Sequence, residues 1–325
     1  MKQKQKIPHQ LIDGLWSAWC IGSVIGIWPR FIEPYMLFEK KIEQQVEKLP
    51  PALDGMKILF FSDLHLCSHT SKRFLSKIER RINSHRPHLI LYGGDFLTRS
   101  QLIHTDLLLH FFSSLKASHG CFCILGNHDY SSYVSINEKG ETAVVGDKEE
   151  HFLSKSFRKI FSSSTRILFP SEPLLPPHEG LVEKIDATPF RLLHNESCTV
   201  EVNGERLNIC GLGDLWTGNF APAKAFQEYD ATLPGIVLSH NPDSFDLLND
   251  YPGDVVLSGH THGGQVNLPG FWKPLCPLNN KSYRAGTFYQ GSKMLHVTRG
   301  VGGPYPFRWC APPELTVLTL KRGKA

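Results

Sequence analysis

Residues 57–65 read KILFFSDLH, an apolar run that ends in a polar cluster. The pattern returns in PHLILYGGD at 87–95 and in CFCILGNHD at 121–129. Between these runs, residues 72–85 and 107–117 place apolar side chains at helical spacing. Strands that alternate with helices predict βαβ units and largely parallel pairing. The expected fold class is α/β, with ligands bound beyond the carboxyl ends of the strands.

The second half of the chain continues the strand pattern after an interruption. In the interruption, near 130–190, the run HFLSKSFRKIF (151–161) predicts a helix with an apolar face beside basic residues. We expect an insertion that caps the strand ends, with an ordinary surface helix as the alternative. Asn203-Gly204 is a strong hairpin signal. Further strands are predicted at 199–202, 206–211, 235–239, 254–258, 294–298 and 315–320.

Composition excludes several classes of protein. The chain has 325 residues, of which 41% are hydrophobic and 20% charged, which is too apolar for disorder and ample for a large core. The net charge of +4 comes without a concentrated basic run, which argues against a nucleic-acid partner. Eight scattered cysteines form no C-x-x-C pair and predict buried free thiols in a reducing compartment. The unusual figure is 16 histidines.

The N-terminal segment, residues 1–50, is predicted to associate with a membrane. Three lysines precede the uncharged stretch GLWSAWCIGSVIGIWP (14–29), whose tryptophans favour the headgroup level of a bilayer. The stretch has 16 residues, fewer than the roughly 20 that cross a bilayer as a helix. No small-x-small cleavage site follows it. We therefore expect a surface anchor, and the alternative is a helix packed on the protein's own core.

Polar clusters built from Asp, His and Asn follow the apolar strands at five places. Oxygen and imidazole donors without thiolate suit manganese, iron or zinc. Seven such donors are too many for one tetrahedral zinc and suit two ions that share a carboxylate. Two ions roughly 3.5–4 Å apart are a known device for in-line displacement at phosphorus. The clusters are SDLH (62–65), GGD (93–95), GNHD (126–129), SHN (239–241) and SGHTHGG (258–264).

In this order the motifs D-x-H, G-D, G-N-H-D, H and G-H-x-H resemble those of the calcineurin-like metallophosphoesterases, over about residues 56–320. The resemblance implies a four-layer αββα sandwich of two mixed β-sheets flanked by helices, within a domain at 51–325. It also implies a dinuclear site at the strand ends that holds two divalent ions, manganese first, with iron or zinc as alternatives. By motif position, Asp63, His65 and His262 would hold one ion, Asp95 would bridge, and Asn127, His240 and His260 would hold the other.

The resemblance also assigns catalytic roles. His128 would contact the phosphoryl oxygens or protonate the leaving oxygen, and Asp129 would orient it. Arginine forks suit diphosphate oxygens, so Arg99, Arg299 and Arg308 are candidate substrate contacts. Ordinary structural arginine is the alternative for all three.

The C-terminal stretch TRGVGGPYPFRWCAPPEL (298–315) is similar to that of bacterial membrane-associated members of the family. Within that branch the chain resembles enzymes of lipid A biosynthesis. These hydrolyse UDP-2,3-diacylglucosamine to UMP and 2,3-diacylglucosamine 1-phosphate by in-line attack of a bridging hydroxide. The resemblance implies a lipid-linked nucleotide substrate and a peripheral site on the cytoplasmic face of the inner membrane, with no obligatory protein partner.

Two other readings remain open. One is a related phosphoesterase acting on a phospholipid, a nucleotide or a cell-wall precursor. The other is an inactive membrane scaffold. Such relatives usually lack a ligand, and here every ligand position is filled.

Overall fold

Two six-stranded mixed β-sheets form the frame of the molecule, in a computed structural model that describes residues 9–137, 139–145, 166–267, 276 and 278–323. The first sheet has the order β1-β14-β2-β3-β4-β7, in which β2, β3, β4 and β7 run parallel and β14 is antiparallel to β2. Its strands are β1 (Phe38–Val46), β2 (Lys57–Phe61), β3 (Leu89–Tyr92), β4 (Cys121–Cys123), β7 (Phe190–Leu192) and β14 (Glu314–Arg322).

The second sheet has the order β12-β13-β11-β10-β9-β8. Its four central strands are parallel, and both edge strands, β12 and β8, are antiparallel to their neighbours. Its strands are β8 (Glu196–Val202), β9 (Glu205–Gly211), β10 (Gly235–Leu238), β11 (Val255–Ser258), β12 (Gly286–Gln290) and β13 (Lys293–Val297). A separate short hairpin joins β5 (Val134–Ile136) to β6 (Thr142–Val144).

The side chains of the two sheets meet in one buried core, which includes Phe60 and Leu91 from the first sheet and Ile209 and Leu257 from the second. The outer face of the first sheet packs against three helices, and that of the second against short helical turns. The helices are α2 (Lys72–Ser84), α3 (Thr105–Ser114), α4 (Glu179–Asp186) and α5 (Pro222–Ala225), and 3₁₀ turns cover Pro51–Leu53, Pro242–Leu247, His262–Gly264 and Lys281–Arg284. The layered α/β fold expected from the sequence is confirmed.

Apart from the predicted helix at 151–161, which lies outside the described residues, the predicted strands and helices from residue 57 onward are present, with ends shifted by a few residues. Three strands of the two large sheets, β1, β7 and β12, were not predicted, and neither was the β5–β6 hairpin. In β1 only Ile42, Gln44 and Val46 are buried, and apart from the exposed Phe38 the rest of the strand is charged or polar, so it lacks the apolar run that marks the other strands. Residues 38–46 are therefore part of the sheet, although they lie within the segment 1–50 that was expected to associate with the membrane.

The N-terminal helix stands away from the core. It comprises α1 (His9–Gly22), a π-helical continuation over Ser23–Ile32 and a 3₁₀ turn at Glu33–Tyr35. Residues Gly14–Tyr35 make a helical segment of 22 residues with a mean hydropathy of 1.2, of which 6% is buried. By length and composition it could cross a membrane, and a secretion signal near an N-terminus would have the same properties. The alternative in which it packs on the protein's own core is wrong.

The predicted cap helix, with Leu153, Phe157, Ile160 and Phe161 on one face, lies outside the described residues. On either side of the undescribed residues, the structure has the β5–β6 hairpin and an extended segment that begins at residue 166. Bridges pair Glu141 with Leu168 and Tyr130 with Pro177. All eight cysteines are free thiols, as expected, but only four are buried, and Cys20 and Cys310 are exposed.

Candidate metal centre

The seven predicted ligands converge on one buried cluster at the carboxyl ends of the central strands. Strand β2 leads directly to Asp63 and His65, β3 to Asp95, and β4 to Asn127. From the second sheet, β10 leads to His240, and β11 leads to His260 and His262. All seven side chains are buried. Parallel pairing within each sheet brings these ends to one edge, so residues up to 199 positions apart become neighbours (262 − 63 = 199).

Asp95 lies at the middle of the cluster. Its Oδ2 atom is 3.3 Å from Nε2 of His65 and 3.3 Å from Nε2 of His240. On one side, Nε2 of His262 lies 3.1 Å from Nε2 of His65 and 3.7 Å from Oδ1 of Asp63. The two histidines that flank Asp95 therefore point at the same carboxylate oxygen, as a bridging ligand requires.

The other side of Asp95 is formed by Asn127 and His260. Nδ1 of His260 lies 3.0 Å from Oδ1 of Asn127. Asp63, Asp95 and His240 also offer donor atoms within 4.8 Å of one another, as do Asp63, His65 and His262. The expected division into two half-sites that share Asp95 fits this arrangement.

Hydrogen bonds behind the ligands fix their orientation. Nδ1 of His65 donates to the carbonyl oxygen of Leu97 at 3.0 Å, and Nδ1 of His240 donates to that of Gly93 at 2.7 Å. Each bond leaves the Nε2 lone pair directed into the cluster, as in known metal sites. Nε2 of His240 and of His260 and Nδ1 of His262 are buried and have no hydrogen-bond partner. Because buried polar atoms are rarely left unpaired, these nitrogens fit metal ions as partners.

The charges of the cluster also suit cations. Burial alone would raise the pKa of Asp95, but His240, His128 and His65 hold it well below the usual range. Burial would lower the pKa of His240, yet Asp95 and Asp63 raise it to about 10. Burial lowers the pKa of His260 and His262 well below the ordinary value. Asp95 is thus a carboxylate and His260 and His262 are neutral imidazoles, the protonation states that bind divalent ions, whereas His240 would release a proton when an ion binds.

The backbone conformation of the ligand residues is unusual. Five of the seven have positive φ angles between 45° and 70°: Asp63, His65, Asp95, His260 and His262. Such angles are uncommon outside glycine and concentrate at functional sites. Two motif glycines make room for the carboxylates. A Cβ atom on Gly126 would lie 2.2 Å from Oδ1 of Asp95, and one on Gly259 would lie 2.4 Å from Oδ2 of Asp63.

Asp129 does not orient His128, and that expectation is wrong. Its carboxylate accepts hydrogen bonds from four main-chain N–H groups, those of residues 95, 96, 97 and 126, at 2.7–3.1 Å. Burial raises its pKa to about 8, and Asp95 adds to the effect. Asp129 therefore ties the loop after β3 to the loop after β4 and supports the ligands through the backbone.

His128 faces the cluster with its Nε2 side. Its Nδ1 atom accepts the N–H of Arg99 at 2.8 Å, and burial lowers its pKa to about 3. An imidazolium would place a second hydrogen against that N–H group, so the neutral ring with hydrogen on Nε2 fits the site. Of the two expected roles, contact with phosphoryl oxygens fits this geometry, and protonation of the leaving oxygen does not.

The three candidate arginines have different surroundings. Arg308 is buried, and its guanidinium donates to main-chain carbonyls of residues 299, 300, 302 and 311. Arg299 is paired with Glu314 at 2.8 Å. Both arginines therefore stabilise the fold. Arg99 is partly exposed, and its Nη2 donates to Oη of Tyr305 at 2.5 Å, beside His128.

Three residues near the ligands were missed by sequence reasoning. The Tyr133 ring lies 4.4 Å from that of His128, and the Trp216 ring lies 4.4 Å from that of His260. Asp214 is buried with Oδ2 unpartnered, and burial raises its pKa to about 6. Asp214 and Trp216 follow the predicted strand at 206–211, so the rule of polar residues after an apolar strand could have found them.

Comparisons with known proteins agree with this site. Residues 56–264 match the family model for calcineurin-like phosphoesterases. The chain is 40% identical over 307 residues to the UDP-2,3-diacylglucosamine pyrophosphatase LpxG of Chlamydia trachomatis, with 90% of this chain and 92% of that protein covered. It is 30% identical to the phosphodiesterase YaeI of Escherichia coli (81% and 82% covered) and 28% identical to the uncharacterized metallophosphoesterase YkuE of Bacillus subtilis (98% and 99% covered). The chain belongs to the calcineurin-like phosphoesterase family and is a metal-dependent hydrolase.

Proposed function

We propose that this protein hydrolyses UDP-2,3-diacylglucosamine to UMP and 2,3-diacylglucosamine 1-phosphate, a step of lipid A biosynthesis. The observation that carries the proposal is the exposed apolar helix, whose last residue, Tyr35, lines the same pocket as His65 of the histidine–carboxylate cluster and would hold that cluster near a lipid surface. The LpxG relative, which aligns over 90% of this chain, supports the same substrate. We place the protein on the cytoplasmic face of the inner membrane, where it needs no nucleic acid or protein partner.

Two divalent ions, with manganese as our choice and iron or zinc as alternatives, would be held by the seven ligands and share Asp95. When bound, such a pair activates water and neutralises charge on phosphoryl oxygens. A new bond forms between the water oxygen and the phosphorus of the uridylyl group, and the bond from that phosphorus to the oxygen between the two phosphates breaks. That oxygen leaves as part of the sugar phosphate, and the proton lost by the water passes to solvent.

Residues of the chain itself position the diphosphate. The N–H on Nε2 of His128 faces the ligands and donates to a phosphoryl oxygen where negative charge develops. The guanidinium of Arg99, next along the same wall, offers a fork of donors to the second phosphate. Asp129 holds the loop after β3 against the loop after β4, because its carboxylate accepts main-chain N–H groups from both.

The test is incubation of the purified protein and Mn²⁺ with UDP-2,3-diacylglucosamine, followed by mass spectrometry of the products. We expect UMP and the lipid monophosphate, and neither from Asp95→Ala, which removes the shared carboxylate. If only a simple aryl phosphodiester is cleaved, the metal site stands and another phosphodiester substrate must be sought, as for the YaeI relative. If neither compound is cleaved, the inactive-scaffold hypothesis gains support.

A further inference from the structure

A groove runs from the end of the N-terminal helix to the metal centre. Tyr35, which is 37% exposed, lies at its outer end, and the buried His65 lies at its inner end. Its lining also includes Leu64, Phe74, Val301 and Pro306. One ligand of the cluster therefore also lines the groove. The described walls are mainly apolar, although the reaction at the inner end involves phosphates.

The outer wall of the groove is held in place by specific contacts. The Tyr35 ring packs edge-on against Phe74, with centroids 5.7 Å apart. Nζ of Lys77 donates to the carbonyl oxygen of Tyr35 at 2.9 Å. Val301 is almost fully buried, and its main-chain N–H donates to the carbonyl of Ser62, which joins the lining segments 62–64 and 301–302. A groove braced in this way is part of the folded structure and does not require an occupant to form.

The N-terminal helix is anchored at the mouth of the groove. The buried carboxylate of Glu33 accepts Nε1–H of Trp28 at 2.8 Å and the N–H of Ala311 at 2.6 Å. The N–H of Arg308 donates to the carbonyl of Pro29 at 2.8 Å. Just before this anchor, Phe31 is 63% exposed. The mouth therefore lies beside the part of the helix that is apolar and uncovered.

A cation lies next to the groove, bonded to one of its lining residues. Tyr305 lines the groove, and its hydroxyl oxygen accepts Nη2–H of Arg99, whose main chain in turn holds His128. An occupant that fits has a hydrocarbon chain a few bonds from a phosphate. A nucleotide without a lipid would leave the apolar walls exposed to water.

We propose that this groove seats one acyl chain of the substrate, which enters from the membrane beside the N-terminal helix and places the sugar phosphate at the metal centre. The inference rests on the proposed function and adds a binding site for the hydrocarbon. The N-terminal helix then has two roles, since it holds the protein at the lipid surface and its final turn forms part of the substrate site.

The first test uses chain length. Each methylene that enters an apolar site adds about fourfold to affinity. For the wild-type protein with Mn²⁺, we expect kcat/KM on UDP-2,3-diacylglucosamine to rise at least tenfold from four-carbon to eight-carbon acyl chains. Cys67 is partly buried in the groove wall. Cys67→Trp, which fills the groove, should reduce this ratio to near one, while Cys67→Ser should keep it.

A tryptophan placed elsewhere is the matched control. Leu247 is 50% exposed in the 3₁₀ turn Pro242–Leu247, away from the groove, so Leu247→Trp should preserve the chain-length ratio. If the wild type cleaves the substrate but Cys67→Trp retains the full ratio, the groove inference is overturned and the proposed function stands. If the wild type cleaves none of the series, both the groove inference and the proposed function are contradicted.

The second test needs neither a variant nor turnover. The unaltered protein, freed of metal by a chelator, is mixed with UDP-2,3-diacylglucosamine that carries a diazirine at the end of each acyl chain, and is then irradiated. We expect mass spectrometry to find cross-links within 64–75 or 301–306. Cross-links that spare both ranges, for example only at 146–165 or 14–32, overturn the inference.

Discussion

At the scale of single residues, Nδ1 of His128 decides between two roles for this side chain. Because it accepts the N–H of Arg99, the ring acts as a neutral donor through Nε2 and has no spare proton for a leaving group. We expect His128→Ala to lower kcat by about 10²–10³-fold, the effect of losing one donor to a developing charge. The loss should be the same for aryl phosphodiesters with good and with poor leaving groups. A loss that grows as the leaving group worsens would indicate proton donation instead.

Asp129 gives a second prediction at this scale. Its carboxylate accepts four main-chain N–H groups in a buried position, whereas asparagine would offer one oxygen and turn an NH₂ group toward the other donors. We expect Asp129→Asn to lower the free energy of unfolding by about 3 kcal/mol. Urea denaturation measures this change. Asp106→Asn, an exposed carboxylate at the start of α3, should cost less than about 1 kcal/mol. If both variants lose the same free energy of unfolding, the proposal that Asp129 stabilises the two loops is contradicted.

At the scale of elements, the N-terminal helix should determine where the protein is found. Its described side chains up to Ile27 are largely exposed, and its contacts with the folded domain involve Trp28 and later residues. Removal of residues 1–27 should therefore shift the protein from the membrane fraction to the soluble fraction, while most of its activity on a lipid-free aryl phosphodiester is retained. Sedimentation of cell extracts after a salt wash measures the shift. A truncated protein that still sediments with the membranes would assign the attachment to another surface.

The strands illustrate which elements can be recognised from sequence. The parallel strands β2, β3, β10 and β11 are buried on both faces, so each is a continuous apolar run. Strand β1 lies at the edge of its sheet, where it pairs with β14 alone and keeps charged residues in water. Strand β12 is likewise an edge strand, and β7 has three residues. Edge strands bury too little surface to leave a clear pattern.

At the scale of the whole molecule, the metal centre joins the two sheets. Two carboxylates and four histidines from both sheets are buried together, and ions that bind this arrangement stabilise the folded state only. Binding at a hundredfold excess over Kd contributes about 2.7 kcal/mol for each ion, or about 5 kcal/mol for two. Removal of metal by EDTA should therefore lower Tm by about 5–10 °C, as measured by thermal scanning, and added Mn²⁺ should restore it. Asp95→Ala serves as the control, since its Tm should not respond to EDTA. An unchanged Tm in the wild type would contradict metal binding at this centre.

The sequence by itself determined the α/β class, the central strands and the seven candidate ligands that the structure brings together. Burial of parallel strands demands unbroken apolar runs, and the ligands follow those runs directly, so both signals are local. The tertiary structure alone decided the roles of Asp129, His128 and Arg308, the edge strands and the docking of the N-terminal helix. The partners of these groups lie far away in the chain: Asp129 binds the main chain 32–34 residues earlier, and Arg308 meets Pro29. Main-chain donors and acceptors are the same at every residue, so no pattern of side chains predicts such bonds.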